Sequence, residues 1–341
     1  MVSSRAVGFL LAVPLCTTVL AGCDMVVLRP SGYIAAQQGW LVILSTLLML
    51  LIIVPVIVLT LVFAWHYRAS NKAATYTPDW DHSVQLELII WACPLLIIIA
   101  LGALTWIGTH TLDPYRSLTH IDSGRPLSIE AEPLNVEVVA LDWKWLFIYP
   151  DHGIAVVNEA AIPVDIPVRF KITSSSVMNA FYVPAMAGMI YAMPGMTTQL
   201  HAVINQPGEF EGFSANYSGV GFNNMRFKLL GVNAGGFDSW LQKAKTSKDA
   251  LTREAYLALE KPSEREPVKR YGTVTIDLFD LIVNRCVDSR KMCMRQMAMG
   301  HGEAPRVAQR EWVALNLVTD AAVCRADGSL AGTLASAVYR D

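Results

Sequence analysis

The sequence predicts a chain in two parts: a membrane hairpin of two transmembrane helices, then an all-β domain that ends in helices. Three observations carry this. The 341 residues are 53% hydrophobic and 16% charged, too apolar for a wholly soluble protein and too polar for one embedded throughout in lipid. Two long apolar runs, residues 40–63 and 86–107, are each long enough to cross a hydrocarbon core about 30 Å thick. From residue 134 the pattern breaks into short alternating or β-branched runs separated by Pro, Gly and Asn, the signature of strands joined by turns. A net charge of −2 with no basic-aromatic stripe argues against nucleic acid as a partner.

At the N-terminus Arg5 precedes an apolar run over 7–20 and the small residues of Leu20-Ala21-Gly22-Cys23, which together read as a secretory signal over residues 1–22. The Leu-Ala-Gly-Cys ending resembles a bacterial lipoprotein signal, which implies an acylated Cys23 as the first mature residue; an uncleaved apolar anchor is the rival. The segment 23–108 then holds the hairpin. Its first span contains Pro55, tolerable where neighbouring groups satisfy the freed carbonyl, and closes on Trp65, His66, Tyr67 and Arg68, residue types that interfaces favour. Its second span is interrupted only by Glu87 and Pro94. If Cys23 is lipidated on the outer face, the connection over 65–83 is cytoplasmic and everything after Thr109 is periplasmic.

Residues 109–233 carry the strand-like runs 135–140, 145–149, 168–173, 198–204, 209–214 and 226–232, which read as an antiparallel sandwich or barrel. In 143–149, Trp143, Trp145, Phe147 and Tyr149 alternate and so share one strand face, read as core packing with a docking surface. Residues 234–285 turn helical, with Phe237, Trp240, Leu241 and Ala244 on one face and Leu251, Ala255, Ala258 and Leu259 on another. The Met-, Arg- and Gly-rich segment 286–341 reads as a weakly ordered tail. The six cysteines are Cys16, Cys23, Cys93, Cys286, Cys293 and Cys324, with no C-x-x-C spacing among them; Cys286 and Cys293 could pair or stay free.

The most informative stretch is 209–227, read with 174–200. A dinuclear copper centre for electron transfer needs bridging thiolates, imidazoles and a weak thioether. Here Ser214 and Ser218 stand four apart where two cysteines would be, Asn179 and Phe222 stand where histidines would be, Asn216 offers only a carbonyl, and Met225 alone is a plausible ligand. None of the seven histidines occupies such a position. One thioether cannot retain copper, so no metal is expected in this chain.

With the DWKWLFIYP stretch over 142–150, these segments resemble subunit II of the haem-copper respiratory oxidases, and in particular the quinol-oxidising, cytochrome bo-type branch that lost the copper centre. The resemblance covers roughly residues 23–279, and DLFDLIVNRC after residue 276 resembles that branch's aromatic-containing C-terminal segment. It implies a cupredoxin-like β-domain and a non-redox subunit of a proton-pumping ubiquinol oxidase in the bacterial inner membrane. Haems and copper would lie in partner subunit I, and the other partners would be further membrane subunits, ubiquinol as substrate of the complex, and membrane lipid. It also gives Glu87 a role. The pattern His82-Ser83-x-x-Leu86-Glu87-x-x-x-Trp91-x-x-Pro94 resembles the segment whose glutamate marks the cytoplasmic mouth of a proton-uptake channel, and an ionisable group within a membrane span is costly unless it serves such a path. The rivals are a copper-bearing cytochrome c oxidase subunit, which the missing thiolates and imidazoles oppose, a stand-alone lipoprotein with a degenerate cupredoxin scaffold, and, for Glu87, a carboxylate snorkelling at the interface.

Overall fold

The computed structural model describes residues 25–75, 77–128 and 132–300. The chain divides into two units, residues 1–288 and 289–341. In the first, α1 (Tyr33–His66) and α2 (Val84–Thr111) form the hairpin. Their apolar side chains point outward almost throughout, among them Leu51, Ile57 and Leu61 on α1 and Leu88, Leu96 and Ile98 on α2. Such a surface is stable only where the solvent is itself apolar, so the chain is a membrane protein. The helices touch closely where Leu41 fills the space beside Gly108: a Cβ on that glycine would stand 2.9 Å from Leu41 Cδ1.

Helix α1 has 34 residues, about 51 Å at 1.5 Å per residue, well beyond one hydrocarbon core. It therefore begins seven residues earlier than the hydropathy run, and the extra turns have a purpose: they dock on the β-domain. The Ser31 and Gly32 amides both donate to Ala185 O at 2.9 Å, Ala35 N donates to Met186 O at 3.3 Å, and Asn205 N returns a bond to Ser31 O at 2.7 Å. A Cβ at Gly32 would lie 2.6 Å from the carbonyl oxygens of Met186 and Val203, so only glycine permits this approach.

The β-domain contains β1 (Leu134–Leu141), β2 (Lys144–Tyr149), β3 (Ile154–Val157), β4 (Glu159–Pro163), β5 (Val168–Ser174), β6 (Asn179–Tyr182), β7 (Ile190–Ala192), β8 (Thr198–Ala202), β9 (Gly208–Ser214) and β10 (Arg226–Val232). After it come α3 (Ala234–Lys245), β11 (Ala250–Leu251), α4 (Arg253–Leu259), β12 (Lys269–Tyr271), β13 (Thr273–Val274) and α5 (Leu278–Val283). Two sheets face each other, ordered β12-β3-β2-β1-β5-β8 and β4-β10-β9-β6-β7. They are mixed, where the sequence suggested antiparallel pairing throughout: β1 pairs with β5 and β4 with β10 in parallel. Asn158, a left-handed residue (φ 57°), alone separates β3 from β4, where the chain passes from one sheet to the other. Its side chain secures the crossing, accepting from Trp145 N at 2.8 Å and donating to Glu266 O at 2.8 Å.

Two cores result. Between the sheets, Trp145, Phe147 and Tyr149 pack with Phe170, Phe181 and Phe227, the last two stacked at 5.2 Å. On the outer face of the first sheet, Leu146, Ile148, Ala155 and Val157 lie under Tyr256, Leu259, Leu278, Phe279 and Ile282 of α4 and α5. Strand β2 is therefore buried on both faces, which explains its unbroken apolar run. Trp143 is a correction: with φ 66° it occupies the β1–β2 turn and does not continue the strand face. The α4 face is another. Leu251 belongs to β11, Thr252 caps the helix by accepting from Ala255 N, Ala258 points outward, and Tyr256 takes the inward place. The expected α3 face, Phe237, Trp240, Leu241 and Ala244, is buried as read. Cys286 and Cys293 are both disulfide-bonded, and Cys93 on α2 is a free thiol. In the second unit the described element is α6 (Met294–Gly300); residues 301–341 of the proposed tail lie outside the described residues.

Candidate functional site

The β9–β10 loop is built by strand register. Strand β6 pairs antiparallel with β9, setting Phe181 opposite Ser214 and bringing Asn179 beside the end of β9. Ser214, Asn179 and Met225 are all buried, at 3%, 1% and 1% exposure. The Ser214 hydroxyl lies 3.1 Å from Asn179 Oδ1 and 3.2 Å from Asn216 O, and it accepts weakly from Ala180 N at 3.4 Å. Ser214 N donates to Met225 O at 3.2 Å, and the Ser218 hydroxyl faces Met225 Sδ at 3.9 Å. Asn216 reaches across to Met178 O at 3.1 Å. The structure thus gathers Asn179, Ser214, Asn216, Ser218 and Met225 into one linked cluster. Phe222 stays in the same turn with its ring 5.7 Å from Tyr217.

Trp143, which periodicity misplaced, is the lid of this loop. Its Nε1 donates to Ser218 O at 3.0 Å. Gly219 and Gly221 lie under the indole; a Cβ on Gly221 would come within 2.4 Å of the ring, and Gly219 has φ 112°. A Gly-x-Gly pair opposite a tryptophan-bearing turn was the signal available in the sequence. Lys144 beside it was also missed. It is buried, donates to Lys261 O at 2.7 Å and Ser263 Oγ at 2.6 Å, and so pins the 261–266 segment onto β2; burial lowers its pKa.

As a metal site the loop fails on donor chemistry. It offers two hydroxyls, two amides, a phenyl ring and one thioether, with no thiolate and no imidazole, and the buried hydroxyl and amide groups are already engaged with one another. Among the described residues no group of three or more His, Cys, Asp or Glu stands together as a metal would require.

Two ionisable constellations lie elsewhere. At the end of the hairpin away from the β-domain, Glu87 sits in the first turn of α2, and His82 Nδ1 lies 2.9 Å from its Oε1, both side chains more than half exposed. In the β-domain, Glu137 on β1 faces Lys171 on β5 at 3.9 Å and lines a cavity of about 240 Å³ with Asp277 and Asp280. Burial, opposed by Lys171 and reinforced by Asp280, Asp151 and Asp277, pushes the Glu137 carboxyl up to about 7. Cys23 lies outside the described residues.

Residues 150–232 match the family described as "Cytochrome C oxidase subunit II, periplasmic domain", and residues 245–290 match the "COX Aromatic Rich Motif". The first of these matches, with the two-helix hairpin and the paired sheets, establishes a cupredoxin-like periplasmic-type domain behind a membrane anchor. The chain is 51% identical to cytochrome bo(3) ubiquinol oxidase subunit 2 of Pseudomonas putida, over 78% of this chain and 82% of that one. It is 48% identical to the protein of the same name from Pseudomonas aeruginosa, over 78% of each, and 48% identical to ubiquinol oxidase subunit 2 of Acetobacter aceti, over 77% of this chain and 83% of that one. These matches run over about four-fifths of both chains at close to half identity: the chain belongs to the ubiquinol oxidase subunit 2 family, a subunit of an oxidoreductase complex.

Proposed function

We propose that this chain is the non-redox subunit of a proton-pumping quinol oxidase, supporting assembly and one proton-uptake entrance while the electron chemistry runs in partner subunit I. Haems and copper belong to that partner, and ubiquinol delivers its electrons within the membrane, so a water-side copper relay is dispensable. The observation that carries this reading is the Ser214–Asn179 pair: the side chains at the heart of the loop are bonded to each other at 3.1 Å in a buried setting that offers copper neither thiolate nor imidazole. Glu87 is the proton-uptake group. It sits at the end of α2 opposite the periplasmic-type domain, hence at the cytoplasmic face of the inner membrane, and Cys23 is the lipid-bearing N-terminus of the mature chain.

The test is purification from the native membrane through a tag on this chain, followed by haem and copper quantification of the isolated complex. The reading expects a haem-rich, many-helix partner and no copper attributable to this chain. Recovery of the chain alone would favour the stand-alone scaffold, and a pair of coppers on this subunit would favour the copper-bearing oxidase.

A further inference from the structure

We propose that the junction between the hairpin and the β-domain holds one phosphatidylethanolamine molecule, its headgroup on Arg116 and Asp113 and one acyl chain between α1 and α2. Two adjoining recesses on this side of the membrane carry the proposal. The upper is a cavity of about 260 Å³ enclosed by the first turns of α1, the segment after α2 and the edge strand β8, with Gln37, Asp113, Arg116, His120 and His201 among its walls. The lower is a groove of about 290 Å³ between the helices, walled by Trp40, Leu41, Leu44 and Leu104. Gln37, Thr111 and Leu112 line both, so one opens beside the other.

The lining changes character where a bilayer does. Trp40, 69% exposed, stands at the start of the apolar run, the level at which interfacial tryptophans sit. The polar cavity lies on its headgroup side and the leucine-walled groove on its hydrocarbon side. From Gln37 to Leu44 the helix rises about 10 Å at 1.5 Å per residue, enough to pass from the headgroup layer into hydrocarbon. A vacant recess between two membrane helices forfeits dispersion contacts, which an acyl chain supplies.

The upper cavity presents one cation and one anion three residues apart, the charge pattern of a zwitterionic headgroup. The Arg116 guanidinium reaches His110 O at 3.4 Å, and Asp113 Oδ1 accepts from Tyr115 N at 2.9 Å; among the described residues neither side chain enters an ion pair. A guanidinium fork matches phosphate, and a carboxylate accepts charge-assisted bonds from an ammonium N–H. The quaternary ammonium of choline has no such N–H to give Asp113. The half-buried Gln37 amide, also without a hydrogen-bond partner among the described residues, stands between the two recesses at the level of the glycerol esters. A solvated surface pair accounts for the exposed charges but leaves the groove beneath them without an occupant, whereas a phospholipid uses both.

The experiment uses the chain in the complex it forms in its native membrane, purified through a tag in mild detergent and depleted of lipid. The complex is loaded with phosphatidylethanolamine bearing a diazirine on one acyl chain, irradiated, and mapped by peptide mass spectrometry against the total label it carries. Cross-links are expected in peptides covering 40–44 and 104–112. Unlabelled phosphatidylethanolamine is expected to displace them about fivefold more effectively than phosphatidylcholine. Arg116→Gln combined with Asp113→Asn is expected to cut this labelling about tenfold, and Leu44→Trp, which fills the groove, is expected to abolish it, each with unchanged subunit composition. Label that persists in both variants, or that the two lipids displace equally, would overturn the proposal. So would native peptides without label, the result if a partner subunit fills the groove. If Leu44→Trp fails to assemble, the charge variant and the competition decide.

Discussion

Glu137→Gln should make the β-domain more stable at alkaline pH and change little at acid pH. Burial and three nearby aspartates raise the Glu137 carboxyl from its ordinary 4.5 to about 7, with Lys171 opposing from 3.9 Å. Between those values the folded chain binds more protons than the unfolded one, so stability falls as pH rises, and above about 7 the full cost of holding the carboxylate is present. The gap corresponds to about 3 kcal/mol. Its side chain keeps 15% exposure and that of Lys171 37%, so solvent screening brings the effect to about 1–2 kcal/mol. Glutamine has the same shape and never ionises. Hydrogen exchange of the intact complex, followed in peptides covering β1 and α5, should therefore be about 5- to 30-fold slower in the variant than in the native protein near pH 8, with nearly equal rates near pH 5. Equal protection at both pH values, or weaker protection of the variant near pH 8, would refute the account.

Tyr149→Phe should destabilise the same domain. The buried Tyr149 hydroxyl accepts from Ala161 N at 3.0 Å and donates to Ala161 O at 2.8 Å, so phenylalanine orphans two backbone groups of β4 at a cost of about 2–4 kcal/mol, readable as faster exchange in 159–163. Copper loading of the purified oxidase should produce no near-infrared thiolate–copper band, whereas Asn179→His, Ser214→Cys, Ser218→Cys and Phe222→His together should produce one, because the β6–β9 register already brings the main positions together; a native-chain band would contradict the donor argument. Mass spectrometry of the mature N-terminus should find diacylglycerol on Cys23, and an unmodified Met1 would exclude the lipoprotein signal.

The hairpin was legible because transfer to lipid is decided by composition over some twenty residues, which a sequence displays directly. The start of α1 was not, since Gln37 and Gln38 lie in turns whose reason for being helical is a contact with residues 185–205, far along the chain. The strand runs were readable where alternation or an apolar, aromatic run is bounded by turn residues; β3 and β4 were not, because 154–163 shows no alternation and a single residue separates the two strands. Direction within the sheets depends on where the chain crosses from one sheet to the other, between β3 and β4, which local periodicity does not encode. The loop residues 179 and 214–225 were found from chemistry that is missing at known spacings, and the structure brings most of them together. Trp143 was misplaced, and Lys144 and Glu137 escaped notice, because each depends on partners from distant segments: Gly219 and Gly221, Lys261, and Asp277 with Asp280.

The form of the degenerate loop follows from what a metal-free site has to satisfy. Two thiols four residues apart in an exported domain are prone to oxidise or cross-link once no metal holds them, and a buried imidazole with no metal needs another partner. A hydroxyl is the nearest replacement for a thiol in size, and an amide can meet it with both a donor and an acceptor. In this chain Ser214 gives Asn179 that acceptor contact, Asn179 Nδ2 donates to Val177 O at 3.1 Å, and the backbone bond from Ser214 to Met225 O closes the loop. Each such bond is worth about 1 kcal/mol net, less than metal ligation supplies, yet the loop does not depend on them alone. Its walls are fixed by the β6–β9 and β9–β10 registers and its lid by Trp143 over Gly219 and Gly221. At the positions proposed as degenerate ligand sites the strands place a hydrogen-bonded plug, and the strand registers set its shape.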